Sequence, residues 1–395
     1  MITPYYGEFL IIPMPLELSL ERCSNACHYC FSNLNGYTLK SSYKSILNQI
    51  KGFAVGKSHA AQLLRDGYPI CFSNRSDPFC RSNSEFSIKL CEIFTELGID
   101  IAFQTKGGKG IDEILSFMPS SCWYITISQD DENLRKKIEP GAPPISERLE
   151  LIDKLVSKGH HVTVGINPYI PEWIDNKRKL VEQVKQAGAY GILVEGFHLS
   201  REQKRRINQH VIDEKIINRA LKGHADDFEM GHYHELCEII TSNGLELWSF
   251  WNNHSSGFWD RYYQRYKCFP IITNFINHCI ENLEDGDIVD FDQFKSIMGG
   301  MPKNSFKIDS YVISINRSFR NKGIPTKGSA TDLLQIFWSS PQLKTCPANH
   351  PMLSIVAEKV PGSKTLVIEG KLPVYMFNSN GFKSIFVDKN GKEIS

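Results

Sequence analysis

Between Tyr68 and Glu195 short β-rich runs alternate with helical patterns, and this rhythm restricts the fold more than any other feature of the chain. The runs are Tyr68 to Ser73, Ile99 to Gln104, Cys122 to Ile127, His161 to Ile166 and Tyr190 to Val194. A helix between consecutive strands returns the chain to the starting edge, so neighbouring strands lie parallel rather than as hairpins. After the first run, Ser82 and Glu85 have capping-box spacing, Phe86, Leu90, Ile93, Phe94 and Leu97 keep a helical apolar period, and Gly98 supplies the stop. A second helix is predicted over Ser146 to Lys158, with Leu149, Ile152, Leu155 and Val156 on one face and Gly159 at its end. A third covers Lys177 to Gln186 before Gly188, and one more helix and strand are predicted over His234 to Ser242 and Leu245 to Trp251. The fold class is α/β.

Beyond Trp251 the rhythm stops. Cys268 to Glu284 reads as helical, and Thr365 to Glu393 as β-hairpins turning at Asn378 to Gly381 and Lys389 to Gly391. The expected division is residues 1–252 as the βα part and 253–395 as an additional C-terminal α+β region that caps the first and selects the substrate. Met298 to Gly328, rich in Gly, Pro, Asn, Ser and Lys, reads as a surface loop or a groove. At 395 residues the chain is long enough for two or three domains. With 45 basic and 44 acidic residues it carries +1, so no global attraction to nucleic acid is implied. The 11 cysteines are too dilute for a disulfide scaffold, and Met1 to Leu10 lacks a basic segment followed by an apolar core. A reducing, cytoplasmic setting is expected. Phe9 to Met14 is far too short to cross a bilayer and is interrupted by Pro13, so no membrane association is expected.

Cys23, Cys27 and Cys30 place three thiols within eight residues ahead of the first helix of the rhythm. Three soft ligands on one loop suit a metal centre. A four-iron cluster held by three thiolates keeps one iron open, whereas structural zinc wants four ligands, commonly as two separated pairs, and no second pair is evident. The alternatives are zinc completed by His28 or a distant cysteine, or three unligated thiols.

This spacing, with Tyr29 before the third cysteine and βα units after it, resembles the radical S-adenosylmethionine (SAM) superfamily. Ser76-Asp77-Pro78-Phe79, Gln104-Thr105-Lys106, Ile125-Thr126-Ile127-Ser128, Glu139-Pro140-Gly141 with Arg148, and Asn167-Pro168-Tyr169-Ile170-Pro171 are similar to the branch containing spore photoproduct lyase and its DNA repair photolyase relatives. The resemblance spans about residues 15 to 200 and implies a partial (β/α)6 radical SAM barrel with its site at the C-terminal strand ends. It implies a [4Fe–4S] cluster on Cys23, Cys27 and Cys30, and SAM as the source of a 5′-deoxyadenosyl radical that abstracts hydrogen from a substrate. Tyr29 would lie near the adenine, and Ser76, Lys106 and Ser128 would hold the methionine or ribose end. Lys106 is a cation suited to a carboxylate, and serine hydroxyls both donate and accept. An electron donor such as flavodoxin or ferredoxin is also implied. Two positions depart from the family. The Gly-Gly-Glu stretch of the wider superfamily is replaced by Ser73-Asn74-Arg75-Ser76-Asp77-Pro78, and Asn74 stands where the lyase has a hydrogen-donating cysteine. Asparagine cannot donate a hydrogen atom to a carbon radical, so thymine-dimer reversal is not expected. Cys71 and Cys80 lie nearby and read as small buried hydrophobes.

Arg201 to Lys222 has seven Lys or Arg against Glu202, Asp213 and Glu214, and Trp259 to Lys267 interleaves aromatics with cations. With the resemblance, these motivate a nucleic acid or nucleotide substrate, repaired or modified; the bland reading is a solvated helix face and a core aromatic stripe. A small molecule or peptide substrate, and a non-catalytic metal-binding or interaction protein, are the alternatives. His232, His234 and Cys237, like Cys268, Cys279 and Cys346, match no compact ligand spacing. Gly107 to Gly110 lacks a full P-loop and reads as a turn into a helix.

Overall fold

The computed structural model describes residues 2–4, 16–20, 23–35, 42–56, 58–65, 67–73, 75–222, 225–249, 262, 265–266, 278–279, 281–284, 287–300, 312–314, 320, 323–339, 363–369, 372–377 and 383–384. Contacts divide the chain into two compact units, one of residues 1–2, 17–51 and 69–266, the other of 3–16, 52–68 and 267–395.

The large sheet runs in chain order: β1 (Ile2–Pro4), β2 (Leu16–Leu18), β3 (Ile70–Phe72), β4 (Ile101–Thr105), β5 (Cys122–Thr126), β6 (His161–Tyr169), β7 (Gly191–Gly196) and β8 (Glu246–Trp248). Each pairing from β3 to β8 is parallel. Helices cross between the strands: α1 (Phe31–Leu34), α2 (Tyr43–Gly52) and α3 (His59–Arg65) precede β3, and α4 (Ser84–Glu96) joins β3 to β4. The later crossovers hold α5 (Ile111–Ile114), α6 (Glu132–Ile138), α7 (Ile145–Ser157) and α8 (Lys177–Gln186), then α9 (Arg201–Lys204), α10 (Glu214–Ala220) and α11 (Asp227–Ser242). This is the α/β fold with a parallel sheet that the alternation predicts. No described helix is long and apolar enough to cross a membrane.

Local details depart from expectation where side chains have partners elsewhere. The Ser82–Glu85 capping box is not formed: α4 begins at Ser84, and its N-cap Asn83 makes no side-chain cap. Asn83 Nδ2 donates instead to the Asp77 carbonyl at 2.8 Å, and the Ser82 N–H donates to Ser24 Oγ at 3.1 Å. α11 begins well before the predicted His234, because Asp226 accepts from the Glu229 N–H and starts the helix there. Gly110, at φ 86°, caps the start of α5, as the turn reading of Gly107 to Gly110 requires.

The sheet's aromatic core is Phe72, Phe79, Phe103 and Trp123, with Phe103 and Trp123 stacked at 4.1 Å. Of the aromatic and cationic run 259–267, the described members serve packing. The Tyr266 hydroxyl donates to the Ile101 carbonyl and accepts from the Cys122 N–H, both at 2.7 Å, and Arg265 donates to the Ser120 carbonyl. The rest of that run, Cys268, Cys346 and the two predicted hairpin turns lie outside the described residues, as does most of the predicted helix at 268–284.

The second unit is α+β. β9 (Ile288–Val289), β12 (Ser363–Glu369), β13 (Leu372–Phe377) and β14 (Lys383–Ser384) form an antiparallel sheet in the order β14-β13-β12-β9. β10 (Val312–Ser314) pairs with β11 (Lys327–Ser329). Two helices, α12 (Phe291–Gly300) and α13 (Ala330–Ser339), meet through Phe294 and Trp338 at 5.3 Å.

His160, just before β6, is a buried neutral acceptor: its Nδ1 takes the Ser121 N–H at 3.0 Å and Trp123 Nε1 at 3.2 Å. Burial first, and then the charge of Arg265, lower its pKa from 6.5 to about 4. The unfolded chain therefore binds the proton more readily, and the stability tied to the neutral ring is complete above pH 6.5 and lost as the pH falls towards 4. Urea unfolding should show a loss of about 2 kcal/mol between pH 7 and 5 from this group, and His160→Gln should flatten that part of the profile.

Candidate functional site

The three cysteines lie on the loop from β2 to α1, which neighbouring backbone holds on two sides. The His28 N–H donates to the Ile138 carbonyl at 2.9 Å and the Gly141 N–H to the Asn25 carbonyl at 3.0 Å. Gly141 is required by this approach, since a Cβ there would stand 2.0 Å from the Ser24 carbonyl oxygen. Ala26 takes φ 50°, the left-handed region that costs a non-glycine residue on the order of 1 kcal/mol, so the surrounding contacts hold the bend. Arg135 braces the outer wall by donating to the carbonyls of Glu139 and Ala142 at 2.9 and 2.7 Å.

Asp77, after β3, is the link from this loop to the sheet. Its carboxylate accepts from Asn25 Nδ2 at 3.0 Å, Thr105 Oγ1 at 2.7 Å, and the N–H groups of Lys106 and Phe79 at 2.7 and 3.0 Å. Its own N–H donates to Cys23 Sγ at 3.4 Å. Burial pushes the Asp77 carboxyl up to about 6, against those hydrogen bonds. Ser76 is buried beside it, with its hydroxyl 3.4 Å from that of Ser73.

A second buried carboxylate, Glu139, gathers the other predicted site residues. Lys106 Nζ stands 3.2 Å from Oε1, to which the Tyr29 hydroxyl donates, and Arg148 Nη2 lies 2.5 Å from Oε2, which Gln129 also reaches at 3.1 Å. Lys106 Nζ donates to the Tyr29 oxygen at 2.9 Å. Ser128 is within hydrogen-bonding reach of Tyr29 and donates to the Asn167 carbonyl at 3.0 Å. Desolvation works to raise the Glu139 pKa, but the Lys106 and Arg148 charges outweigh it and hold the carboxyl down at about 2.

The structure therefore brings Tyr29, Lys106 and Ser128 together near Cys27, whose thiol senses the charges of Lys106, Glu139 and Arg148. Ser76 precedes Asp77 in the chain, but its N–H and hydroxyl contact Ser73 rather than this network. Lys106, expected as a cation available to a ligand carboxylate, is already paired with Glu139, and Tyr29 is fixed in the wall with its ring 5.6 Å from Trp173. Glu139, Arg148 and Asp77 stood in the sequence as parts of motifs without roles, and Gln129 and Asn25 carried no signal at all. Asn25 Oδ1 and Gln129 Oε1 are buried acceptors without a hydrogen-bond partner, an arrangement that a donor-bearing ligand would complete. Cys80 is a fourth thiol at the site. It hydrogen-bonds Cys23, and that bond, with burial, pushes the Cys23 thiol up. Asn74 lies outside the described residues.

Among the described residues no three His, Cys, Asp or Glu side chains already stand in a metal-holding arrangement. Cys27 and Cys30 interact, while Cys23 faces Asp77 and Cys80. The donor set nevertheless fits an iron–sulfur centre in its chemistry: three soft ligands on one short loop, with Lys106 and Arg148 working against the burial that pushes the Cys27 thiol up. His232 Nδ1 lies 2.9 Å from Lys177 Nζ and 3.5 Å from Glu235 Oε2, and no group of three ligands forms there among the described residues.

No family model matches the chain. Over 197 aligned residues it is 25% identical to uncharacterised proteins of Mycobacterium tuberculosis and Mycobacterium bovis, a match covering 45% of this chain and 56% of each relative. The chain thus spans about half the length of the curated relatives it matches. Among solved structures it is similar to spore photoproduct lyase with dinucleoside spore photoproduct, at a TM-score of 0.46 and 14% identity over 62% of this chain and 79% of that one. It is also similar to Streptococcus suis SuiB bound to S-adenosylmethionine, at 0.39 and 13% over 60% and 48%, and to TYW1 with a lysine-pyruvate adduct, at 0.34 and 17% over 53% and 71%.

Two substitutions test the site's architecture. Glu139→Gln leaves Lys106 and Arg148 buried without their counter-charge and should cost about 3–5 kcal/mol in denaturant unfolding. Gly141→Ala forces the cysteine loop away from the α6–α7 turn; it should cost about 1–3 kcal/mol and speed alkylation of the buried Cys27 thiol.

Proposed function

We propose that this chain is a radical SAM enzyme, with a [4Fe–4S] cluster on Cys23, Cys27 and Cys30 and S-adenosylmethionine at the C-terminal strand ends. The observation that carries this reading is the fastening of a three-thiol loop, through Asp77 and Glu139, to the ends of β3, β4 and β5. When bound, the cluster and SAM together supply one-electron cleavage of a sulfonium carbon–sulfur bond and a 5′-deoxyadenosyl radical that abstracts hydrogen.

The chain's own residues hold and orient. Three protein thiolates leave one coordination position for a ligand from outside the protein. The unpartnered acceptors Asn25 Oδ1 and Gln129 Oε1 suit an ammonium group such as the amino end of SAM. Lys106 lies where it can share its charge between Glu139 and a ligand carboxylate. Ser76 and Ser128 offer hydroxyls for the methionine or ribose end, and Tyr29 forms wall beside them. The C-terminal region, residues 253–395, is proposed to select the substrate.

For the substrate, a compact molecule is favoured over a polymeric nucleic acid: a nucleotide, another small molecule or a peptide. Tyr262 and Tyr266 are core residues, and Arg206, Arg219 and Lys204 are engaged with Glu202, Glu172 and Asn218. Arg201, Arg205, Lys215 and Lys222 remain as exposed cations, but residues 201–222 contain no Phe, Tyr or Trp on which bases could stack.

The test is anaerobic reconstitution with iron and sulfide, reduction with SAM present, and assay of 5′-deoxyadenosine. The parent protein should cleave SAM and Cys27→Ala should not. Zinc without iron in the purified protein, or a reducible cluster that leaves SAM intact, overturns the assignment.

A further inference from the structure

One face of β5, β6 and β7 carries buried polar groups that belong to neither the Asp77 nor the Glu139 cluster. Tyr124 and Thr163 are partners in the parallel register, so their side chains lie on the same side of the sheet. Thr163 is in turn the partner of Gly191, and alternation along β7 puts Leu193 and Glu195 on that side too. Gly165 lets the Tyr124 ring lie across β6, since a Cβ there would collide with the Tyr124 hydroxyl. The Asn167 carbonyl accepts from Ser128 Oγ at 3.0 Å, so this face adjoins a group already proposed to hold SAM.

The hydrogen bonding of this face is incomplete. Glu195 Oε1 lies 3.2 Å from His198 Nε2, whereas Glu195 Oε2 is buried and has no hydrogen-bond partner. The Tyr124 hydroxyl, fully buried, lies near the Asn167 side chain and the Glu195 charge without closing a hydrogen bond. Buried polar groups are as a rule paired, and a carboxylate oxygen is among the most costly to leave bare. Lys106 and Arg148 are paired with Glu139, and Arg219 with Glu172 and Glu229. Glu229 adds a second carboxylate that acts on His198. His198, half-exposed, marks the solvent end of the group.

We infer that Glu195 is the specificity-determining residue of a substrate subsite, and that its Oε2 takes the protonated amine of a compact substrate beside the Tyr124 hydroxyl. The inference rests on the radical SAM reading and adds to it the chemical class of the substrate. An ammonium group brings three donors and one positive charge, which a bare carboxylate oxygen next to a hydroxyl accepts. A carboxylate or phosphate in the same place would meet Glu195 with like charge, and a neutral hydroxyl would leave that charge uncompensated. Water is the competing occupant, since buried water commonly completes such groups.

The experiment is ligand-observed NMR on the full chain, with n-butylamine and agmatine as cationic probes and 1-butanol and butyrate as neutral and anionic ones. The two amines should bind and compete with each other, and butanol and butyrate should not bind. Glu195→Gln should weaken amine binding at least about tenfold, as expected for the loss of one charge-assisted pair. Tyr124→Phe, which keeps the ring and removes the hydroxyl, should weaken it about threefold. Glu182→Gln, at an exposed carboxylate on α8, is the control and should match the parent. Unchanged amine binding in Glu195→Gln overturns the subsite; should that variant fail to fold, parent affinity in Tyr124→Phe does so. Butanol or butyrate bound as tightly as the amines overturns the cationic substrate, and absence of amine binding to the parent leaves water as the occupant and overturns the subsite too. These measurements need neither cluster nor SAM. A parent that binds the amines but forms no 5′-deoxyadenosine after reconstitution overturns the radical SAM reading instead, and leaves an amine site without that chemistry.

Discussion

Burying the Glu139 carboxylate without exposure is the demand that organises the rest of the site. An isolated carboxylate in that position would cost several kcal/mol or take up a proton. It remains ionised because a lysine after β4, an arginine on α7, a tyrosine from the cysteine loop and a glutamine after β5 all converge on its two oxygens. Four segments are thereby held at one point, the cysteine loop and the end of β4 from 110 and 33 positions away in sequence. Arg148 is itself fully buried and donates onward to the Thr126 and Pro143 carbonyls, so the group is bound to the sheet as well as to its own helix. The arrangement is worth most as a positioning device, since a buried ion pair is no sure source of net stability.

Asp77 does the same for the other half of the cysteine loop. It accepts from Asn25 within the loop and from Thr105 and Lys106 at the end of β4. The loop is irregular backbone with one left-handed alanine, and it gains from these attachments a rigidity that a free surface loop would lack. Strand ends are where a parallel sheet offers loops with free choice of side chains, while the strands beneath supply a fixed frame. Ile207 and Ile212 after α9, and Ile216 and Ile217 on α10, share one apolar cluster with Cys27, and Cys30 packs against that cluster.

Much of this was legible from residue order. The strand runs and the helices α4, α7 and α8 follow from apolar period and glycine stops, because each such element buries one face and declares it by spacing. The cysteine loop was legible as a ligand set because three thiols in eight residues have few other uses. The capping of α4 was misread: Ser82 and Asn83 have the right chemistry for a cap, but the cysteine loop and Asp77 take their hydrogen bonds. Tyr266 looked like part of a basic and aromatic binding stripe and is instead a buried bridge between Ile101 and Cys122, far away in sequence. Short helices such as α6, α9 and α10 span too few residues for a period to be seen.

Residue order by itself determined the class of sheet, the direction of its strands and the identity of the candidate ligands, because periodicity, turn residues and thiol spacing act over a few neighbouring positions. Only the tertiary structure decided what Lys106 is for, since a lysine after a strand reads the same whether it awaits a ligand or is paired with a carboxylate 33 positions later. The same holds for Cys80 beside Cys23, for the acceptors of Asn25 and Gln129 left without donors, and for the isoleucines that share an apolar cluster with Cys27. Each depends on which distant segments meet, and long-range charge pairing and burial leave no local pattern from which that meeting can be read.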